Sequence, residues 1–302
     1  MPQPSTPIVL LLATLVALLL FTHAGQNAFA DERLTNTDEV LKAIADSAFE
    51  EPLHVESIEE DDWVRGDIHA LLNIPHEALA AALANVEAWC EILFLHINVK
   101  ACVHDAAAGH LTLFMGRARY QDPAVAEQIH FRFRVDHVED DSLALMLHTD
   151  RGPHGIREVR IELQAAPIDE DTSLLRMHYA LRYGRLARTV LALYFTFGGR
   201  HLIGFSIEDT DEAGEPVHVG GLRGMIERNT MRFYFALKAY LRHPEPDQLE
   251  ARLDHWFDLT ERYPDQLRVR DRDDYLAQKA RERQNQEELQ AAGGLLEEAD
   301  PW

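Results

Sequence analysis

Between Trp63 and His243 the order of apolar and polar positions switches between two periods. Val64, Gly66, Ile68, Ala70 and Leu72 share one face of an extended segment, opposite Arg65, Asp67 and His69, and Pro75 ends it. His76 to Leu93 then carries Leu79, Ala82, Leu83, Val86, Cys90 and Leu93 at helical spacing. Period two returns with Leu95, Ile97, Val99, Ala101 and Val103, set against His96, Asn98, Lys100, Cys102 and His104. It continues in a strand from His110 to Tyr120, then in Ile129 to Val135, Leu143 to Leu147, Val159 to Leu163 and Leu175 to Tyr183. Turns fall at Asp105–Gly109, Glu139–Asp141 and Arg151–Gly155. Such alternation predicts antiparallel strands with one face buried and the other in water, and it excludes a doubly wound parallel sheet.

Residues 186–207 break the pattern, since Val190 to Phe197 is nearly all apolar and Gly198-Gly199 interrupts it. His201 to Glu208 is read as a further strand, closed by a turn from Asp209 to Pro216. After Gly220-Gly221 a long helix is predicted. Leu222, Met225, Ile226, Phe233, Ala236, Leu237 and Tyr240 fall within a ~120° arc, with Asn229 near its middle. The opposite side carries Met231, Tyr234 and Phe235, which need a cover. The amphipathic stretch after Pro246, with Leu249, Leu253, Trp256, Phe257 and Leu259, is the candidate. Past Tyr275 the charged tail is expected to fray. Upstream, Val40, Leu41, Ile44 and Phe49 mark a short helix, and the acidic residues 50–62 are expected to lie exposed.

The N-terminus changes the setting. Ile8 to Phe21 is an apolar run followed by Ala28-Phe29-Ala30 and then by Asp31-Glu32-Arg33. The run is shorter than the ~20 residues of a spanning helix, so it reads as a signal peptide cleaved after Ala30, with export to the periplasm or beyond. An uncleaved N-terminal anchor is the competing reading, because no Lys or Arg precedes the run. The 51 acidic and 29 basic residues all follow Ala30, so the net charge of −22 belongs to the mature chain. That charge repels nucleic acid and anionic headgroups at long range and keeps an exported chain soluble.

Cys90 and Cys102 are the only cysteines. In an oxidising compartment two cysteines so close predict one disulfide. A geometric difficulty stands against it. If Cys102 lies along a strand that starts near Leu95, it is up to ~25 Å from Cys90 at ~3.3 Å per residue, whereas a disulfide needs α-carbons within ~7 Å. Either residues 93–99 bend back or the thiols stay free. Cys102 and His104 could alternatively share a metal, but Lys100 between His96 and Cys102 would repel a cation, and no metal site is assigned.

From Val64 to Arg242 the layout resembles the START-like superfamily, which includes polyketide cyclases and lipid-transfer domains. The residues that carry the resemblance are the first strand, the helix ending in Ala88-Trp89-Cys90, the antiparallel strands and the long last helix. The resemblance implies an α+β helix-grip fold, a curved antiparallel sheet around the C-terminal helix, with a hydrophobic cavity between them. It carries over no catalytic residue. The domain reading is a signal peptide at 1–30, an acidic segment at 31–62, the helix-grip domain at 63–243, and a helical covering layer with a charged tail at 244–302.

Candidate ligand contacts follow from the faces. Asn229, Phe233 and Ile226 lie on the helix arc, and Tyr179 and Phe133 on inward strand faces. Arg117 continues the face of Leu111, Leu113 and Met115, and Arg157 shares a face with Val159 and Ile161. A buried arginine must be paired, so either could meet a carboxylate or phosphate on an apolar ligand. No G-x-S-x-G, H-E-x-x-H, P-loop or dinucleotide fingerprint occurs, and no catalytic residue or cofactor is assigned. The expectation is an exported carrier of a hydrophobic, lipid-like molecule, with a transient membrane contact through 186–207. The alternatives are a cavity enzyme of cyclase or hydrolase type and an interaction protein with a filled core.

Overall fold

The computed structural model describes residues 37–60, 62–152, 155–184 and 202–293. Residues up to Asp46 form a unit of their own. Within it α1 (Thr37–Ala45) carries Asp38 and Glu39 in its first turn, where they complement the helix dipole, and Lys42 pairs with Asp46. The second unit runs from Ser47 onward.

Eight strands form one antiparallel sheet: β1 (Leu53–Glu60), β2 (Trp63–Leu72), β3 (Val99–Asp105), β4 (His110–Met115), β5 (Glu127–Glu139), β6 (Ser142–Arg151), β7 (Ile156–Pro167) and β8 (Ser173–Tyr183). Their order across the sheet is β1-β2-β8-β7-β6-β5-β4-β3, so β1 and β3 are the edges. β6 shows the predicted alternation cleanly, with Leu143, Leu145, Leu147 and Thr149 buried and the residues between them half-buried. The acidic stretch read as exposed is instead edge strand β1. Leu53, Val55 and Ser57 point inward, while glutamates on the alternate positions and at the strand end mask the short pattern.

Two helices, α2 (His76–Leu83) and α3 (Val86–Phe94), replace the single predicted one. Asn85 starts the second by accepting the Glu87 N–H at 2.9 Å, a side-chain N-cap that breaks the run. Residues 95–98 then turn back before β3 begins at Val99, later than the alternation suggested. This bend resolves the cysteine difficulty: Cys90 and Cys102 form a disulfide across Cα atoms 5.1 Å apart.

A bulge completes the correction on β3. The register with β4 shifts between Val99 and Ala101, leaving Lys100 as the extra residue. One extra residue exchanges the faces of everything beyond it. Cys102 therefore joins the main core with Val99, and Ala101 and Val103 form a second cluster with Phe114 on the other face. The strand expected from His110 to Tyr120 stops at Met115, where Asn98 donates to the Gly116 carbonyl at 2.8 Å.

The segment read as a strand at 201–208 becomes a small exposed hairpin, β9 (Ile207–Thr210) with β10 (Pro216–His218). The long helix α4 (Gly221–Arg242) follows. It packs on β1 and β2 because Gly66 has no side chain there. A Cβ at Gly66 would stand 3.3 Å from the Ile226 side chain and 3.2 Å from the Glu56 carbonyl. Behind α4 lie α5 (Leu249–Glu261) and the short α6 (Pro264–Leu267). They cover Met231 and Phe235, both fully buried. Trp256 donates its indole N–H to the Arg232 carbonyl at 2.9 Å, and Tyr263 stacks on Phe235 at 5.8 Å. The helix is sandwiched between sheet and C-terminal layer.

The tail expected to fray is instead α7 (Arg272–Ala291), which runs along edge strand β3. Tyr275 donates to the Leu95 carbonyl at 2.8 Å, Gln278 to that of Ile97 at 3.2 Å and Lys279 to that of Val99 at 2.6 Å. Gln286 accepts the Cys102 N–H at 2.8 Å. Gln290 accepts the His104 N–H at 2.9 Å and donates to the His104 carbonyl at 3.0 Å. The two periods match, since four helix residues rise about 6 Å and two strand residues about 6.6 Å. Side chains of α7 thus take the place of a ninth strand and close an edge that would otherwise invite pairing.

Candidate functional site

On the inner face of the sheet most positions are sealed. A small set of apolar side chains packs against the core yet keeps part of its surface: Met115, Phe133, Val135, Ile156 and Tyr179 from the sheet, with Met225 and Phe233 from α4. Tyr179 shows where that surface points. Its cross-strand partners are Gly66 and Ile161, and its same-face neighbours on β8 are Met177 and Leu181. Ile161, Met177 and Leu181 are no more than 5% exposed. The remaining surface of Tyr179 therefore opens inward, between sheet and helix. Burial alone pushes its hydroxyl up to about 12. Among the described residues that hydroxyl makes no hydrogen bond.

Asn229 is half-buried on α4 and faces the imidazole of His96, which stacks on Phe233 at 4.5 Å. His96 was expected on a solvent-facing strand, but it sits in the turn after α3 at 1% exposure. Burial, then the Arg232 charge, holds it well below the usual histidine range, so it is neutral at pH 7. Its Nδ1 accepts the Asn98 N–H at 3.1 Å. Arg232 itself turns away to donate to the Leu267 carbonyl at 3.1 Å.

The sequence-predicted residues thus separate. Phe133, Tyr179, Asn229 and Phe233 stand on the inner wall with surface left. Ile226 is buried in the contact with Gly66. Arg117 is exposed in the loop after β4, because that strand ends two residues before it. Arg157 is exposed at the start of β7, where the register with β8 shifts between Arg157 and Arg160 and Glu158 takes a φ of 48°. That irregularity turns Ile156, rather than Arg157, onto the core. Met225, Val135, Met115 and Ile156 were not singled out as site residues. Only their place on apolar faces could have marked them.

One end of the wall is clasped. Glu227 is 1% exposed and accepts the Phe205 and Ser206 N–H groups at 2.6 and 2.9 Å, together with the Ser57 hydroxyl. Gly204 allows this approach, since a Cβ there would stand 2.6 Å from the carboxylate. Arg228 donates to the Ile203 carbonyl at 2.9 Å. The membrane contact read at 186–207 falls mainly on residues 185–201, which lie outside the described residues. Cys102 is committed to the disulfide, and among the described residues no group of three or more potential ligands could hold a metal ion. No helix of the described residues is long and apolar enough to cross a membrane. A small pocket elsewhere, lined by Trp256, Phe257, Leu267 and Tyr275, holds about 10 Å³, at the lower limit for one water.

A curved antiparallel sheet, an early helix pair and a long C-terminal helix lying across it decide the fold. The layout is a helix grip. The chain is similar, at low identity, to several solved structures. A START superfamily protein from Mycobacterium smegmatis is 14% identical, with a TM-score of 0.29, over 44% of this chain and 90% of its own. An aromatase/cyclase from a Streptomyces species is 12% identical, with a TM-score of 0.30, over 68% of this chain and 94% of its own. Norcoclaurine synthase from Thalictrum flavum, solved with dopamine and hydroxybenzaldehyde, is 8% identical, with a TM-score of 0.30, over 48% and 80%. No protein-family model and no curated relative matches the chain. This chain differs from a bare helix-grip layout in its C-terminal layer, where α5 to α7 cover both the helix and one sheet edge.

Proposed function

We propose that this chain is an exported START-like protein that binds or carries a hydrophobic small molecule between the sheet and α4. The observation that carries the reading is the inner wall itself. Phe133, Val135, Ile156, Tyr179, Met225 and Phe233 keep surface while their neighbours are sealed, which is how a largely apolar binding site with few polar groups is built. Export rests on the apolar run Ile8 to Phe21 and the Ala28-Phe29-Ala30 pattern, and it agrees with a disulfide between the two cysteines. Carriage is favoured over catalysis because the sequence carries no catalytic motif.

Native mass spectrometry of the chain recovered from its own compartment tests this. A bound apolar molecule that is released on unfolding is the expected result. A chain that emerges empty and takes up no lipid or fluorescent apolar probe overturns it. Mapping the N-terminal residue of the same sample tests export, with a start at Asp31 expected.

A further inference from the structure

We infer that the inner wall selects an uncharged amphiphile with a single hydrogen-bonding group, such as a long-chain alcohol, and that the Tyr179 hydroxyl is the group that meets it. The inference rests on the ligand-binding reading above and narrows it. Tyr179 lies mid-wall on β8, paired with Gly66 of β2, where Ile226 of α4 packs against the sheet, and it keeps part of its surface there. The hydroxyl has no hydrogen-bonding partner among the described residues, and no charged group contributes to its shift.

Among the described residues, the cations that could have received an acidic headgroup are elsewhere. Arg117 and Arg157 are exposed off the wall. Arg232 is turned to the Leu267 carbonyl, and Lys100 and Lys279 are both held by Glu282 beneath α7. His96 is neutral and faces Asn229. An ionised carboxylate or phosphate beside Tyr179 would lose its water with no opposite charge among the described residues to replace it, which is strongly unfavourable. The net charge of −22 adds long-range repulsion of any anion. A neutral hydroxyl or carbonyl loses little, because one phenol can satisfy it.

Displacement of a neutral fluorescent probe, N-phenylnaphthylamine, from the mature chain at neutral pH tests this, comparing cetyl alcohol with palmitate. Cetyl alcohol is expected to displace the probe at a concentration at least about tenfold lower than palmitate. Tyr179→Phe is expected to remove most of that preference while the probe still binds, which shows the variant is folded. Palmitate equalling the alcohol, or Tyr179→Phe leaving the alcohol unchanged, overturns the inference and leaves the ligand-binding reading standing. A wild-type chain that takes up neither probe nor lipid overturns both.

Discussion

Lys100 Nζ and Glu282 Oε1 lie 2.8 Å apart with neither side chain exposed, although 182 residues separate them along the chain. Lys279 Nζ reaches the other carboxylate oxygen at 2.9 Å and is equally buried. One anion therefore serves two cations under α7. Removing it should cost more than any exposed ion pair of this protein, because two buried ammonium groups would lose their counter-charge. Glu282→Gln is expected to destabilise the chain by about 3–5 kcal/mol in urea unfolding. The triple change Lys100→Met, Lys279→Met, Glu282→Leu is expected to recover most of that loss. A Gln variant as stable as wild type would show that the carboxylate is not what holds the helix.

The same cluster predicts an unusual alkaline response. Burial, offset in part by Glu282, brings the Lys279 ammonium down to about 8. An unfolded lysine stays protonated to about 10.4. Between these values the unfolded chain binds the extra proton, so stability rises with pH across that window. The gain is on the order of 3 kcal/mol at most. Unfolding of wild type and Lys279→Met from pH 7 to 10.5 checks the sign, and the rise is expected to be smaller in the variant, where only Lys100 is still lowered by burial.

Gln286 and Gln290 stand in for a neighbouring strand, so their loss should be felt at the backbone they serve. In Gln286→Ala the Cys102 amide, and in Gln290→Ala the His104 amide, are expected to exchange hydrogen faster. Amides in the middle of β6 and β7 should be unchanged in either variant. Each change is expected to cost about 1–2 kcal/mol, the worth of a buried N–H left unsatisfied. In the double variant the uncovered β3 edge should favour self-association, read by sedimentation.

The Cys90–Cys102 disulfide closes a short loop, with a sequence separation of 12. Chain-entropy reasoning puts its worth near 3 kcal/mol. The double Cys→Ala variant is expected to lose about that much, in wild-type buffer as in reductant. An unchanged midpoint would mean that the bend at 95–98 and the packing of α3 hold this corner without the bond.

Glu227 binds two backbone amides and the Ser57 hydroxyl from inside the fold. Glu227→Ala orphans all three donors and is expected to destabilise by about 2–4 kcal/mol. Glu227→Gln keeps the size but offers one acceptor oxygen, so it should fall between. Calorimetric unfolding of the two variants gives the order.

The antiparallel strands were legible because one-sided burial imprints a period of two, as Leu143, Leu145 and Leu147 show. Reading failed where one residue was added or the geometry bent. Lys100 occupies a bulge, and no residue type announced it, so Cys102 was set on the wrong face. The faces of the candidate site were legible in part. Tyr179, Phe133, Asn229 and Phe233 could be placed on inward faces, whereas Arg117 and Arg157 were carried inward by extending an alternation past the point where the strand stopped or shifted.

The linear order of apolar positions determined the strand–helix–strands–helix sequence, the long α4 and the need for something to cover Met231 and Phe235. These follow from burial on one face, which repeats with each element's own period. Only the tertiary structure decided which polar residues are inside. Gln278, Lys279, Glu282 and Gln286 fall on one helical face of a segment that reads as a charged tail. A polar side chain that meets a strand's open backbone is indistinguishable, residue by residue, from one that meets water. The edge of β3 settles the difference, because its free N–H and carbonyl groups need partners once buried.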